Sequence, residues 1–280
     1  MPRSGPGDVD GYPSSKCHRE DFSMPTMEQH RIRDQHARSL RAGSGELMLF
    51  LHGSAGLPTW GPFFAALAEK FALRVPEHPG FGPSVAPKWI RGIDDMAMYY
   101  LDVMDELDLR GVHLVGHSLG GWIAAEMAIR NCHRLASLTL IAPAGVRLKG
   151  VPSGDNFIWG PEESVRNLFH DQSFAERILA HTPTEEEADL ILNNRFMSAR
   201  LGWEPRWVNP ALTRWLHRIR IPTLILWGDS DKIFPNAYAS AWTENISDSR
   251  VELISACGHL PHIEKAADTA SRIIAFAGRK

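Results

Sequence analysis

The sequence is poor in cysteine and has no long apolar run. Only three of its 280 residues are cysteine, Cys17, Cys132 and Cys257, and their positions match neither a metal-binding nor a Cys-x-x-Cys spacing. This pattern fits a reducing compartment, and we expect the protein to be cytoplasmic. Residues 1–16 lack the apolar centre of a signal peptide. No run approaches the roughly 18 apolar residues that cross a bilayer, so we expect no membrane partner.

An excess of one charge is also lacking, as are the common metal and nucleotide motifs. Lys and Arg number 30 and Asp and Glu 33, which gives a net charge of −3 and argues against nucleic acid as a partner. The 13 histidines include no His-Glu-x-x-His motif, and no Gly-x-Gly-x-x-Gly follows an apolar strand. We therefore expect no metal and no cofactor.

What the sequence does contain is an alternation of short apolar runs with longer helical patterns. The helical patterns cover residues 60–72, 93–107 and 121–130. Such alternation is typical of an α/β protein with a parallel sheet, and 280 residues suffice for one such core. The expected strands are residues 47–51, 74–78, 112–116, 135–142, 221–228 and 251–257.

The segment Gly116-His-Ser118-Leu-Gly120 lies between an apolar strand and a helix. A Gly-x-Ser-x-Gly in this context is the nucleophile elbow, a turn so sharp that side chains two residues before or after the serine would collide with the adjoining strand or helix. The turn lifts the serine hydroxyl above the end of the sheet, where the first N–H groups of the helix point at its target. Ser118 is therefore the candidate nucleophile.

A serine hydroxyl needs a base to activate it and a carboxylate to orient that base. Asp231 follows the buried strand at residues 221–228, and we select it as the carboxylate, with Asp229 as the fallback. His259 follows the last expected strand and is the candidate base. Metal catalysis is disfavoured, because no His-Glu-x-x-His or His-x-His pair accompanies a suitable carboxylate.

A further loop, His52-Gly-Ser54-Ala-Gly56, follows the apolar run at residues 47–51. At the end of this strand it is placed to supply one backbone N–H to an oxyanion hole, and the residue after the nucleophile supplies the other. We assign the donors to Ser54 and Leu119. His52 is expected to brace the loop, and His117 to pack beneath the elbow.

With these motifs the sequence resembles the α/β-hydrolase superfamily, from about residue 47 to the C-terminus. The chain order Ser118, Asp231, His259 is the order that this superfamily uses. The resemblance implies a mainly parallel eight-stranded sheet with helices on both faces and a helical cap inserted after the sixth strand. It is specific for the superfamily but not for one activity.

The expected organisation is one core with one insertion. Residues 1–27 are polar and proline-bearing, and we expect a disordered leader there. Residues 28–145 and 219–280 form the expected core. Residues 146–218 form the expected cap, because they are rich in charge and aromatics and contain no convincing strand. Within it, Thr184 and Glu187 predict a capping box at the start of a helix.

The residue types predict hydrolysis of a small-molecule ester through an acyl-enzyme. The alternative is a C–C bond hydrolase of the meta-cleavage type, which uses the same triad on a ketone. That substrate carries a carboxylate, and a cationic group in the cap would have to bind it. A slow-turnover or non-catalytic ligand receptor is a further hypothesis, as is acyl transfer to an acceptor different from water. The substrate and the oligomeric state are not readable from the sequence. The candidate cations are Arg147, Arg166, Arg195 and Arg200.

Overall fold

A single eight-stranded sheet forms the centre of the protein in a computed structural model that describes residues 24–32 and 35–279. The strand order across the sheet is β1-β2-β4-β3-β5-β6-β7-β8. The strands are β1 (Thr26–Ile32), β2 (Gln35–Ala42), β3 (Glu46–Leu51), β4 (Phe71–Pro76), β5 (Val112–His117), β6 (Leu135–Ile141), β7 (Thr223–Gly228) and β8 (Ser249–Ile254).

The sheet is mainly parallel, as the sequence predicts. Antiparallel pairing is confined to β1 with β2 and β2 with β4, and every other neighbouring pair is parallel. All six strands expected from apolar runs are present, whereas β1 and β2 are additional. The boundary expected at residue 27 falls inside β1, and residues 1–23 of the expected leader lie outside the described residues.

Helices cover both faces of the sheet because successive side chains of a buried strand point to opposite sides. Leu49 and Leu51 of β3 join one apolar cluster with helices α2 (Ile93–Glu106) and α3 (Leu119–Arg130). Met48 and Phe50 join the other, with α1 (Pro62–Ala68) and α10 (Ala266–Ala277). The predicted helices at residues 60–72, 93–107 and 121–130 correspond to α1, α2 and α3.

Residues 146–218, which we call the β6–β7 insertion, form most of the connection between β6 and β7. Thr184 and Glu187 form the predicted capping box at the start of α6, with bonds of 3.2 Å and 2.8 Å to each other's backbone N–H groups. The helices of the insertion are α4 (Pro161–Arg166), α5 (Gln172–Ala180), α6 (Glu185–Gly202) and α7 (Leu212–Trp215).

The remaining helices lie between the last strands and the C-terminal helix. They are α8 (Ala239–Thr243), which follows β7, and α9 (Pro261–Glu264), which follows β8. Within the described residues, no helix is both long and apolar enough to span a membrane. The loops after β3, β5, β7 and β8 all leave the same edge of the parallel sheet, which is where α/β proteins assemble their sites.

Candidate active site

Ser118 lies in the turn between β5 and α3, and its backbone is strained. Its φ of 52° and ψ of −113° are unusual for a residue with a side chain, and such strain is concentrated at functional sites. The flanking glycines are required by close backbone contacts. A Cβ on Gly116 would lie 2.4 Å from the carbonyl oxygen of Gly120, and a Cβ on Gly120 would lie 2.1 Å from that of Leu51. The turn therefore has the geometry of a nucleophile elbow.

The structure brings the three selected side chains into one hydrogen-bonded chain. The Ser118 hydroxyl donates to Nε2 of His259 at 3.0 Å, and Nδ1–H of His259 donates to Oδ2 of Asp231 at 2.8 Å. All three residues are buried, with 7%, 3% and 5% of Ser118, His259 and Asp231 exposed. This geometry lets the imidazole accept the hydroxyl proton while the carboxylate fixes its tautomer.

Asp231 is held by the loop after β7 and contacts the imidazole, whereas Asp229 bonds to other residues. Oδ1 of Asp231 accepts the backbone N–H groups of Ile233 and Phe234 at 2.8 Å and 3.0 Å. Its Oδ2 also accepts the indole N–H of Trp227 at 3.1 Å. Asp229 is exposed, and hydrogen bonding, above all from the Ser230 hydroxyl, lowers its pKa. Of the two aspartates, only Asp231 contacts the imidazole in the described part of the chain.

The backbone of His259 is fixed from two sides. Its N–H donates to the carbonyl of Leu168 in the β6–β7 insertion at 2.8 Å. Its carbonyl accepts from Nε2–H of His117 at 2.9 Å. His117 therefore packs beneath the elbow, as expected, but it also ties the base to the elbow. Sequence spacing gives no sign of this bond, because the two histidines are 142 positions apart.

The loop at residues 52–56 lies directly against the elbow. A Cβ on Gly53 would be 2.7 Å from Nδ1 of His117 and 3.5 Å from Cβ of Ser118. The peptide between Gly53 and Ser54 is therefore next to the nucleophile. Leu119 is the first residue of α3, where an α-helix leaves N–H groups without intrahelical partners. Both selected oxyanion donors thus lie beside Ser118, and their role stays a proposal.

His52 and His78 support this loop from below as a neutral pair. Nδ1–H of His52 donates to the carbonyl of Gly53 at 2.7 Å, and its Nε2 accepts the backbone N–H of His78 at 3.0 Å. The two rings are 3.7 Å apart. Burial lowers the pKa of His52 to about 4 and that of His78 well below its ordinary value. The bracing role expected for His52 agrees with these contacts.

Two further buried histidines lie behind the elbow. The rings of His117 and His262 are 4.4 Å apart. Burial, and next to it the nearby rings of His262 and His259, lower the pKa of His117 well below its ordinary value. Burial lowers the pKa of His262 to about 3. Both rings are therefore neutral at physiological pH. His262 is the second residue of the short helix α9, which precedes the last helix, α10.

The β6–β7 insertion contacts the site through α6 as well as through Leu168. The Ser198 hydroxyl donates to the carbonyl of Ser54 at 3.1 Å. The Asn194 amide donates to the carbonyl of Ala55 at 2.8 Å and accepts the N–H of Gly82 at 2.7 Å. Some aromatic residues of the insertion, such as Phe169, are buried, and others, such as Phe157 and Trp159, are half-buried. The exposed aromatics are Phe196, Trp203 and Trp215.

Comparison with known proteins identifies the family. The family model for the alpha/beta hydrolase fold matches residues 46–266, which is most of the chain. The chain belongs to the α/β-hydrolase family. The family resemblance inferred from the sequence is therefore confirmed.

This α/β-hydrolase is similar in sequence to enzymes named as dienoate and semialdehyde hydrolases. It is 28% identical over 237 residues to a 2-hydroxy-6-oxo-2,4-heptadienoate hydrolase of Pseudomonas putida, an alignment that covers 80% of this chain and 86% of the relative. It is 27% identical over 246 residues to a 2-hydroxymuconate semialdehyde hydrolase of a Pseudomonas species, with 83% and 87% covered.

Among solved structures, this α/β-hydrolase resembles a bacterial membrane phospholipase A. The TM-score is 0.77 at 24% identity, and the match covers 91% of this chain and 86% of the other. At this identity the likeness shows the shared fold. The sequence relatives support C–C bond hydrolysis better than the ester hydrolysis that the residue types alone predict.

Proposed function

We propose that the protein is a serine hydrolase that cleaves a C–C bond next to a ketone in a small dienoate-type acid. The observation that carries this proposal is the near full-length similarity to two hydrolases named for such substrates. The hydrogen-bonded chain of Ser118, His259 and Asp231 supports it, because the chain supplies the nucleophile, base and orienting carboxylate that attack on a carbonyl requires.

In this mechanism Ser118 Oγ attacks the ketone carbon and its proton passes to Nε2 of His259. The N–H groups of Ser54 and Leu119 stabilise the oxyanion of the tetrahedral intermediate. Before this attack the 2-hydroxy-2,4-dienoate tautomerises to its 2,6-dioxo form, in which the 2-hydroxyl has lost a proton and C5 has gained one. When the tetrahedral intermediate collapses, the C5–C6 bond breaks and its electron pair stays on C5, where conjugation through C3=C4 to the C2 carbonyl stabilises it. The imidazolium returns the proton to this leaving group. Water then hydrolyses the acyl group on Ser118 by the same proton route.

The substrate carboxylate needs a cation, and the structure distinguishes the four candidate arginines. Arg147 donates to the carbonyl of Arg206, Arg166 pairs with Glu162, and Arg200 donates to carbonyls of residues 87 and 88. Arg195 is exposed, and in the described part of the chain it has neither an ion-pair partner nor a hydrogen-bond acceptor. We therefore assign carboxylate recognition to Arg195.

A comparison of 2-hydroxy-6-oxo-2,4-heptadienoate with p-nitrophenyl acetate tests the proposal. The wild-type protein should hydrolyse the dienoate with the higher kcat/KM, and Ser118→Ala should lose turnover of both while remaining folded. Arg195→Gln should raise KM for the dienoate about 10- to 100-fold, because a hydrogen bond to a charged group is lost. It should leave p-nitrophenyl acetate unaffected, since that ester has no carboxylate. Arg147→Gln is the matched control.

Ester hydrolysis remains the second candidate, because three of the four arginines are engaged elsewhere. A higher kcat/KM for the ester, together with no effect of Arg195→Gln on either substrate, would reverse the order of the two candidates. Activity of Ser118→Ala equal to wild type would remove both.

A further inference from the structure

Glu264, the last residue of α9, is a buried carboxylate that the proposed mechanism does not use. Only 8% of it is exposed. Its Oε2 accepts the backbone N–H groups of Gly258 at 2.7 Å and His170 at 3.3 Å, and its Oε1 accepts that of Asp171 at 2.5 Å. One side chain therefore receives three backbone donors.

These donors come from two parts of the chain. Gly258 immediately precedes His259, whereas His170 and Asp171 belong to the β6–β7 insertion. The two segments also touch directly, since a Cβ on Gly258 would lie 2.4 Å from the carbonyl oxygen of Leu168 and 2.8 Å from Cα of Phe169. Glu264 thus joins the insertion to the loop that carries the proposed base.

The connection continues to the imidazole. The N–H of His259 donates to Leu168 at 2.8 Å, so the backbone position of His259 depends on where residues 168–171 lie. A shift of this segment would move Nε2 relative to Ser118, and a displacement of about 1 Å can cost on the order of 100-fold in rate. The geometry points to Glu264 as a positioning residue that holds His259 through the insertion. This inference rests on the proposed role of His259.

The arrangement requires a carboxylate and not merely a polar side chain of the same size. A carboxylate has acceptor sites on both oxygens, whereas an amide has an acceptor on one side and an NH₂ donor on the other. In Glu264→Gln, the amide oxygen can accept from Gly258 and His170 only if the NH₂ group faces the N–H of Asp171. The opposite orientation places the NH₂ against the other two donors. Either orientation pushes the two segments apart.

We expect Glu264→Gln to lower kcat about 10- to 100-fold, with KM little changed. The rate of covalent labelling of Ser118 by a fluorophosphonate should fall by a similar factor, because labelling reports activation of the hydroxyl and needs no specific substrate. Both rates are measured well below the unfolding temperature. Glu176→Gln, at an exposed position of α5, is the matched control and should behave as wild type.

A second pair of variants tests the connection itself. Asp171 has a φ of −78°, which proline can adopt, and Asp171→Pro deletes the N–H that faces Oε1 of Glu264. Asp171→Ala keeps this N–H but, like the proline variant, removes the carboxylate that caps α5. In the Glu264→Gln background, Asp171→Pro should recover much of the lost labelling rate, because it removes the opposed donor. Asp171→Ala should not.

Three outcomes would overturn the inference. Glu264→Gln could lower the unfolding temperature while leaving kcat and the labelling rate unchanged, which would make the residue purely structural. It could raise KM alone, which would place its effect on substrate binding. The proline and alanine variants could give equal rates in the Glu264→Gln background. Failure of the proposed function is distinguishable. If the protein cleaves esters and not dienoates, wild type still labels at Ser118 and the effect of Glu264→Gln on labelling is still measured; if the triad itself is inactive, wild type does not label.

Discussion

The two sides of the β6–β7 insertion meet the core by different kinds of contact. The segment between α4 and α5 lies backbone against backbone on the loop of His259, with Glu264 buried between them. The α6 side meets the core through side chains, among them the amide of Asn194 and the hydroxyl of Ser198. The first side therefore contacts the proposed base, and the second contacts the proposed oxyanion loop.

The two sides also differ in the exposure of individual apolar side chains. Phe169, between α4 and α5, is 1% exposed, whereas Leu192 and Phe196 of α6 are 67% and 61% exposed. Backbone contacts leave little freedom to the first side, because a change there displaces main chain and not just a side chain. The insertion is therefore not one uniform cover. One part is built into the support of His259, and the other packs Met197 and Leu201 into the core and reaches the oxyanion loop through polar side chains.

The largest difference between the two sides should appear when a phenylalanine is truncated on each. Phe169→Ala should lower the free energy of unfolding by about 3–5 kcal/mol, because it leaves a cavity under the firmly held segment. Phe196→Ala removes a mostly exposed ring and should change stability by no more than about 0.5 kcal/mol. Urea unfolding of both variants measures this. Equal losses would contradict the comparison.

Acid should act next to the firmly held segment through His262 of α9, the helix that also carries Glu264, because its ring is buried against His117. Its pKa is about 3 in the folded protein and about 6.5 in the unfolded chain, so the unfolded state binds the proton first. The stability from neutral His262 is fully present above pH 6.5 and is lost as the pH falls from there toward 3. Between pH 7 and pH 5 this one group should account for a loss of about 2 kcal/mol.

His262→Leu should remove this share of the pH dependence. Urea unfolding at pH 7, 6 and 5 should show a shallower decline for the variant than for wild type, whatever the difference between them at pH 7. His52, beneath the α6 side, has a pKa of about 4 and should keep its own share of the decline in the variant. An identical decline in both proteins would show that His262 does not contribute.

The sequence predicts the parts of the site that depend on local pattern. Ser118 follows from two glycines at fixed spacing in a strand-to-helix turn, and Asp231 and His259 follow from their positions after apolar strands. Parallel strands end at one edge of the sheet, so residues far apart in sequence could be expected to meet. For the same reason Ser54, in the loop after β3, is expected beside Leu119, which follows the nucleophile.

What the sequence does not predict depends on contacts between distant segments. Glu264 accepts from Asp171, 93 positions away, and the donor is a backbone N–H that every residue except proline carries. No side-chain pattern marks such a bond. The strands β1 and β2 are unpredicted for another reason. They pair antiparallel at one end of the sheet, and most of their residues are at least partly exposed, so they lack the apolar runs that mark the inner strands.

The smallest effect concerns the polar attachment of α6 and compares two serines of the insertion. Ser198→Ala removes the hydroxyl that donates to the carbonyl of Ser54, and a looser oxyanion loop should lower kcat/KM about 3- to 10-fold, as expected for one hydrogen bond worth about 1 kcal/mol. Ser164 of α4 is the matched control, because within the described residues its buried hydroxyl has no partner. Ser164→Ala should leave kcat/KM unchanged and stability equal or slightly higher, since it deletes an unsatisfied polar group. If Ser198→Ala is as active as wild type, α6 does not hold the oxyanion loop in place, and the polar contacts on that side are incidental to the reaction.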